Sequence, residues 1–173
     1  MNEEVDYNVF RDVSYGLYIV SSRAGDRINS QVVNTVIQVT SNPPCFAVII
    51  NRKNYTHELI SAGKIFGVSV LKDSTPFPFI GLFGFRSGRD VNKFENVDYV
   101  EGVTGCPLVT TNALGVMEIK LTQHLAVGTH TVFIGEVVSS RSITQGRPLT
   151  YEYYHVHLKG KTSENAPTFD PRA

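Results

Sequence analysis

The stretch QVVNTVIQVTSNPPCFAVII, residues 31 to 50, decides the fold class. Its first part, Gln31 to Ser41, is rich in β-branched residues. Val33, Thr35, Ile37 and Val39 alternate with Asn34, Val36, Gln38 and Thr40. That is the period of a single strand with a mostly apolar face and a mostly polar one. Pro43 and Pro44 end the strand, since neither can donate to a ladder. Cys45 to Ile50 is an unbroken apolar run, which predicts a buried strand.

Working outward, strands dominate. Gly16 to Ser22 reads as a strand with Ala24 to Arg27 as its turn. Phe66 to Leu71, Tyr99 to Glu101, Leu114 to Leu121 and Thr131 to Ser142 read as further strands. Gly135 inside the last of these marks a bulge or a close backbone approach. Helices are few and short. Val5, Val9 and Val13 recur every four residues and predict an amphipathic helix. Tyr55 to Ala62 forms a second candidate, with Asn54 as N-cap and Gly63 as its stop. Thr75 to Phe85 opens on a proline suited to a first helical turn. Ser87 to Val97 is polar and reads as loop. The run TYEYYHVHLKGKT ends the core, and an extended tail begins at about residue 163. The expectation is a mainly β chain, a β-barrel with accessory helices, forming one domain over residues 1–173.

Composition narrows the function classes. The chain has 173 residues, 42% hydrophobic and 18% charged, which suits one compact core. A formal net charge of +0 gives no global field for gathering nucleic acid or membrane, so neither is expected as a partner. No apolar run approaches the roughly 20 residues of a spanning helix. The acidic start MNEEVDYNVF lacks the basic and apolar regions of a signal peptide. The two cysteines, Cys45 and Cys106, form no CxxC pair. A zinc ribbon, an iron–sulfur cluster and a disulfide framework are therefore not expected, and a reducing cytoplasm is.

Asn51, Arg52, Lys53, Asn54 and Thr56 cluster at a helix start, where backbone N–H groups lack partners and the helix dipole favours an anion. Two readings stand there: a phosphate site, or an ordinary capped helix on a solvated surface. Gly81, Gly84 and Gly88 have the wrong spacing for G-x-G-x-x-G, and no P-loop occurs. His155 and His157 would share one face of a strand. That is metal-ligand spacing without a third ligand, set against a strand surface or a cofactor contact. Spacing gives His130 no role. No G-x-S-x-G is present. Cys45 reads as a small buried hydrophobe.

The ordered set SYGLYIVSS, QVVNTVIQVTSNPP, INRKNYTHELI, FGVSVL, TPFPFIGLFGFRSGRDVNKF, TGCPLV, VGTHTVFIGEVV, LTYEYYHVHLKGKT and APTF resembles the flavin reductase-like family, with its FMN-binding split β-barrel. The branch it resembles contains archaeal ferric reductase and the flavin domain of high-molecular-weight rubredoxin. The resemblance implies a homodimer with FMN sites at or near the subunit interface. It implies hydride transfer from NADH or NADPH to FMN, and electrons leaving to free flavin, ferric iron or a redox protein such as rubredoxin or a flavodiiron protein. A non-enzymatic flavoredoxin-type carrier reduced by a protein partner is the alternative. Position by position, Asn34, Thr35 and Val36 fall beside the flavin ring, with Gln38 and Thr40 extending that edge. Asn51, Arg52, Asn54 and Thr56 match the segment for ribityl and phosphate. Phe85, Arg86, Ser87 and Lys93 match a loop near the flavin, and Tyr154 an aromatic position beside the ring. His130 and His155 match nicotinamide-contacting positions. His130 follows Gly128 and Thr129, where the wider family has Gly-Asp-His.

Overall fold

The structure, a computed structural model, describes residues 5–170. It is mainly β. β1 (Tyr18–Ala24), β2 (Arg27–Val33), β3 (Val36–Ser41), β4 (Pro44–Asn51), β5 (Ile65–Leu71), β8 (Ala113–Val127) and β9 (His130–Ser142) form one antiparallel sheet in the order β2-β1-β5-β8-β9-β4-β3. β6 (Tyr99–Glu101) and β7 (Pro107–Val109) form a separate short ribbon. Among the described residues three α-helices accompany the sheet: α1 (Tyr55–Gly63), α2 (Phe77–Phe85) and α3 (Tyr151–Val156).

The opening stretch explains how the sheet closes. β2 and β3 sit at opposite edges of the sheet, yet only Asn34 and Thr35 separate them in the chain. Two residues cannot span an open sheet, so the sheet curls until its edges meet at that corner. The single strand expected over Gln31 to Ser41 is therefore two strands. No glycine or proline marks the break. Side chains do the joining instead. Thr35 Oγ1 donates to the Ile49 carbonyl at 3.2 Å, and the Ile49 N–H donates to the Thr35 carbonyl at 3.2 Å. These local bonds replace the ladder where it fails.

The barrel interior holds Val20, Val48, Ile50, Phe66, Ile119 and Phe133, all buried. A second cluster of Leu17, Ile19, Ile80, Phe83, Leu149 and Tyr154 packs α2 and α3 against the outside. β1 contributes to both clusters, so it is covered on both faces. Gly135 meets its expectation. A Cβ there would lie 2.3 Å from the Lys120 carbonyl, beside a register shift between β8 and β9.

Several expectations change in detail. Val5, Val9 and Val13 build no amphipathic α-helix. A 3-10 turn spans Tyr7–Asp12, and all three valines are exposed. Asn54 occupies the N-cap of α1 but makes no side-chain cap bond. Lys64, at φ 59°, is the left-handed residue after α1, not Gly63. Gly63 is required for space, because a Cβ would lie 1.8 Å from the Arg23 carbonyl. β7 was not anticipated. Tyr151–Val156 is helical, which puts His155 and His157 on different faces rather than on one strand face.

Candidate functional site

A cavity of about 570 Å³ opens where β2, the end of β4, the start of α1, the loop after α2, α3 and the C-terminal segment converge. Its wall combines apolar and aromatic residues, Leu17, Val33, Ile49, Phe83, Phe85, Tyr151 and Tyr154, with the cations Lys53, Arg86, Arg89, Lys93 and Lys161. Glu164 is the one acidic residue in the wall.

The cations differ in how they are held. Arg89 donates to Glu58 at 3.1 Å and lies 4.8 Å above the Tyr55 ring. Glu58 also accepts from Arg27, and these two guanidinium groups hold its carboxyl below the usual range. Lys93 is only 3% exposed. Its ammonium donates to the Ser30 carbonyl at 2.9 Å and the Phe83 carbonyl at 3.4 Å. Among the described residues no carboxylate pairs with it. Burial pushes it down to about 8. An ammonium has three donors, so one remains for whatever enters the cavity.

The start of α1 adds backbone donors. Asn51, buried at the end of β4, turns its side chain onto the Lys53 N–H at 3.0 Å. Asn54 and Tyr55 line the cavity, and no side chain caps the helix there. The Asn54 and His57 N–H groups bond the Asn51 and Asn54 carbonyls, which leaves those of Tyr55 and Thr56 for an anion. Asn29, in β2, stiffens this end: its amide donates to Thr56 Oγ1 at 2.8 Å. A Cβ on Gly88 would lie 1.9 Å from the Asn29 side-chain oxygen, so the loop after α2 packs directly onto it.

Of the residues singled out from the sequence, the structure gathers Asn34, Asn51, Asn54, Phe85, Arg86, Ser87, Lys93 and Tyr154 around the cavity. It places Thr35, Val36, Gln38, Thr40, Arg52, Thr56, His130 and His155 outside its lining. Thr35 holds the barrel corner, Val36 starts β3, and Gln38 and Thr40 are exposed further along that edge. Thr56 is buried on Asn29. Arg52 donates to the Gly128 carbonyl at the tip of the β8–β9 hairpin. His155 Nδ1 bonds the Gly160 carbonyl at 2.8 Å. His130 reaches the cavity only through Asn165, whose carbonyl lies 3.1 Å from His130 Nε2. Cys45 lies half-buried on β4 beside Glu136 and Thr40, away from the cavity.

Sequence reasoning missed Asn29, Tyr55, Arg89, Tyr151 and residues 161–167 of the wall. Arg89 lay in view, in the same polar run as Ser87 and Lys93. The C-terminal segment entered only through the resemblance at LKGKT and APTF, because an irregular chain without periodicity looks the same whether it is loose or folded back.

A sequence profile of the flavin reductase like domain matches residues 10–159. The chain belongs to the flavin reductase-like family. That makes it an oxidoreductase domain. The high molecular weight rubredoxin of Moorella thermoacetica is 45% identical over 165 residues, covering 95% of this chain and 72% of that one. The ferric-chelate reductase (NAD(P)H) of Archaeoglobus fulgidus is also 45% identical over 165 residues, covering 95% and 98%. Among solved structures, the NADH:FAD oxidoreductase of Streptomyces globisporus superposes with a TM-score of 0.72 at 25% identity, covering 84% of this chain and 95% of that one. The split barrel of this family is the architecture reached above from the corner at Asn34 and Thr35.

Proposed function

We propose that the protein is an FMN-binding, NAD(P)H-dependent oxidoreductase that passes electrons to free flavin, ferric iron or a redox protein. The observation that carries this is one cavity that combines aromatic residues with Lys93, which is buried with no carboxylate partner among the described residues. A flat ring with a phosphorylated side chain satisfies both features. Tyr151, Phe85 and Ile49 offer surfaces for the ring. Lys53, Arg86, Lys93 and the open start of α1 offer donors for the phosphate. The flavin, when bound, supplies the hydride and electron chemistry, so the protein needs to bind, orient and shield it. The name of the Archaeoglobus relative supports a nicotinamide donor and a ferric acceptor, and that of the Moorella relative a redox-protein acceptor.

The same reading takes residues 1–173 as one domain and the working unit as a homodimer. The register of β3, β4, β9 and β8 puts Ile37, Ala47, Ile49, Val132, Ile134, Leu125 and Val127 on one outward face. Ile37, Leu125 and Val127 are each more than half exposed. The face runs up to Ile49 and Asn51 of the cavity wall, which supports sites at a subunit interface. No described helix is long and apolar enough to cross a membrane. The cytoplasm is proposed as its compartment from the cysteine pattern.

The absorbance spectrum of the purified protein tests the cofactor, and chromatography of the released flavin identifies it. Anaerobic bleaching of that flavin by NADH or NADPH tests the donor. A colourless protein that binds no added FMN defeats the proposal. One observation favours the flavoredoxin-type carrier as second reading: His130 is already engaged by Asn165. Bleaching by a reduced partner protein and by neither nicotinamide would select it.

A further inference from the structure

The C-terminal segment is attached unlike the rest of the cavity wall. Residues 161–167 all line the cavity. Among residues 161–169, no backbone hydrogen bond joins the segment to the barrel; the segment's own turns are Ala166 N–H to the Ser163 carbonyl and Phe169 N–H to the Ala166 carbonyl. It is tied down through side chains instead. Tyr154 Oη donates to the Lys161 carbonyl at 3.0 Å. Tyr151 Oη lies 2.5 Å from Thr162 Oγ1 and 3.1 Å from Thr168 Oγ1. Asn34 Nδ2 donates to Thr168 Oγ1 at 2.8 Å, and His130 Nε2 meets the Asn165 carbonyl at 3.1 Å.

Three of these tethering residues, Asn34, Tyr151 and Tyr154, themselves line the cavity. A ligand using their polar groups competes with the segment for them. The contact at His130 is more specific. Asn165 lines the cavity and His130 does not, so the segment screens the imidazole from it. A peptide carbonyl accepting from an imidazole N–H is chemically the same partner as the carboxamide oxygen of a nicotinamide.

We propose that residues 161–168 are a self-inhibitory strap. The Asn165 carbonyl holds the place on His130 that the donor's carboxamide takes, and the strap lets go of His130, Asn34 and Tyr151 to admit the dinucleotide. This inference rests on the nicotinamide-dependent reading above. It adds that the resting site is closed to the donor by the chain itself. The apparent donor affinity is then lowered by the fraction of molecules whose strap is open.

Thr168→Val removes the bonds to Asn34 and Tyr151 while keeping the side chain's shape. The holoprotein variant should show a KM for NADPH or NADH lowered about three- to tenfold with kcat little changed, since one or two modest bonds hold the closed state. Hydrogen exchange of the wild-type holoprotein gives an independent reading. Adding NADP+ or NAD+ should speed exchange across residues 161–169 and leave α3 unchanged. A KM that stays or rises, or a segment that becomes more protected with the oxidised dinucleotide, overturns the strap and leaves the nicotinamide reading standing. A holoprotein that neither NADH nor NADPH bleaches defeats both.

Discussion

The wall of the cavity made by β2, β4 and the start of α1 is fixed by backbone ladders, whereas the wall made by residues 161–167 hangs on side-chain hydrogen bonds. Both face the same space. A ladder fixes many groups cooperatively, and local opening there approaches the cost of global unfolding; a segment held by a few side chains opens at far lower cost. The fixed wall carries Lys53 and the helix start, and Lys93, from the loop after α2, is anchored on its Ser30 carbonyl; these features suit a group that stays bound. The tied wall covers His130, where a substrate that comes and goes would act. One cavity thus divides holding from exchange between two kinds of attachment.

The largest expected effect lies on the fixed wall. Lys93→Met keeps the aliphatic stem and removes the charge. Flavin affinity should fall about 10- to 150-fold, the value of one buried charge-assisted contact of roughly 1.5–3 kcal/mol. The apoprotein should still melt cooperatively, because Met fills the same space. Fluorescence titration of FMN against the apoprotein checks the first outcome and thermal melting the second. An affinity within a few-fold of wild type would take the anion away from Lys93.

Titration of the same ammonium gives the next effect. Burial lowers Lys93 from 10.5 to about 8, so above about pH 8 the folded apoprotein holds it neutral. A bound anion favours the charged form and raises the value again, so binding must take up a proton. FMN affinity should fall by about tenfold per pH unit above 8, until the value in the complex is passed. Stability of the apoprotein has the opposite sign. Between about 8 and 10.5 the unfolded chain binds more protons than the folded one, so this group makes the fold more stable as pH rises. Affinity titrations and urea melts across pH 7 to 10 should therefore slope in opposite directions. Parallel slopes would mean that the ammonium does not meet the ligand.

How much of this was legible depends on whether a residue's task leaves a pattern. β4 announced itself as an apolar run, and α1 by a polar cluster followed by apolar spacing. Lys93 was found by resemblance, not by spacing, because one lysine in a polar loop looks like any solvated charge. The corner at Asn34 and Thr35 was hidden inside an unbroken β-branched alternation. Its bend is held by the bonds between Thr35 and Ile49, 14 residues away, and the Asn34 side chain there bonds Thr168, 134 residues away. α3 was misread because Tyr, His and Val in alternation look like a strand, while Thr150 caps a helix there by accepting from the Tyr153 N–H at 3.1 Å. The strap is the extreme case, since all its contacts to the barrel are tertiary.

The barrel corner supports the fixed wall, and a smaller change tests that. Thr35→Val keeps the shape and the β-branch but loses the bond to the Ile49 carbonyl. Urea denaturation should show a loss of about 0.5–1.5 kcal/mol, the usual value of one such bond. FMN affinity should move little, since the Ile49 N–H still holds the Thr35 carbonyl. A large affinity loss at unchanged stability would give Thr35 a direct part in binding.

The smallest effect separates charge that looks available from charge that is. Arg52 stands in the cluster that suggested a phosphate site, but its guanidinium donates to the Gly128 carbonyl and its N–H to the Thr129 carbonyl at 3.0 Å. Both are at the turn of the β8–β9 hairpin, outside the cavity. Arg52→Ala should therefore leave FMN affinity within about twofold and cost roughly 0.5 kcal/mol of stability, as expected for an exposed bond. Its spectroscopic signature lies at His57, whose imidazole is pushed down first by burial and then by the nearby charges of Arg52 and His124. Removing Arg52 should let that imidazole rise, by an amount NMR titration reads directly. A loss of FMN affinity approaching that of Lys93→Met would instead put the phosphate on the hairpin side of α1, and the fixed wall would have to include the β8–β9 turn.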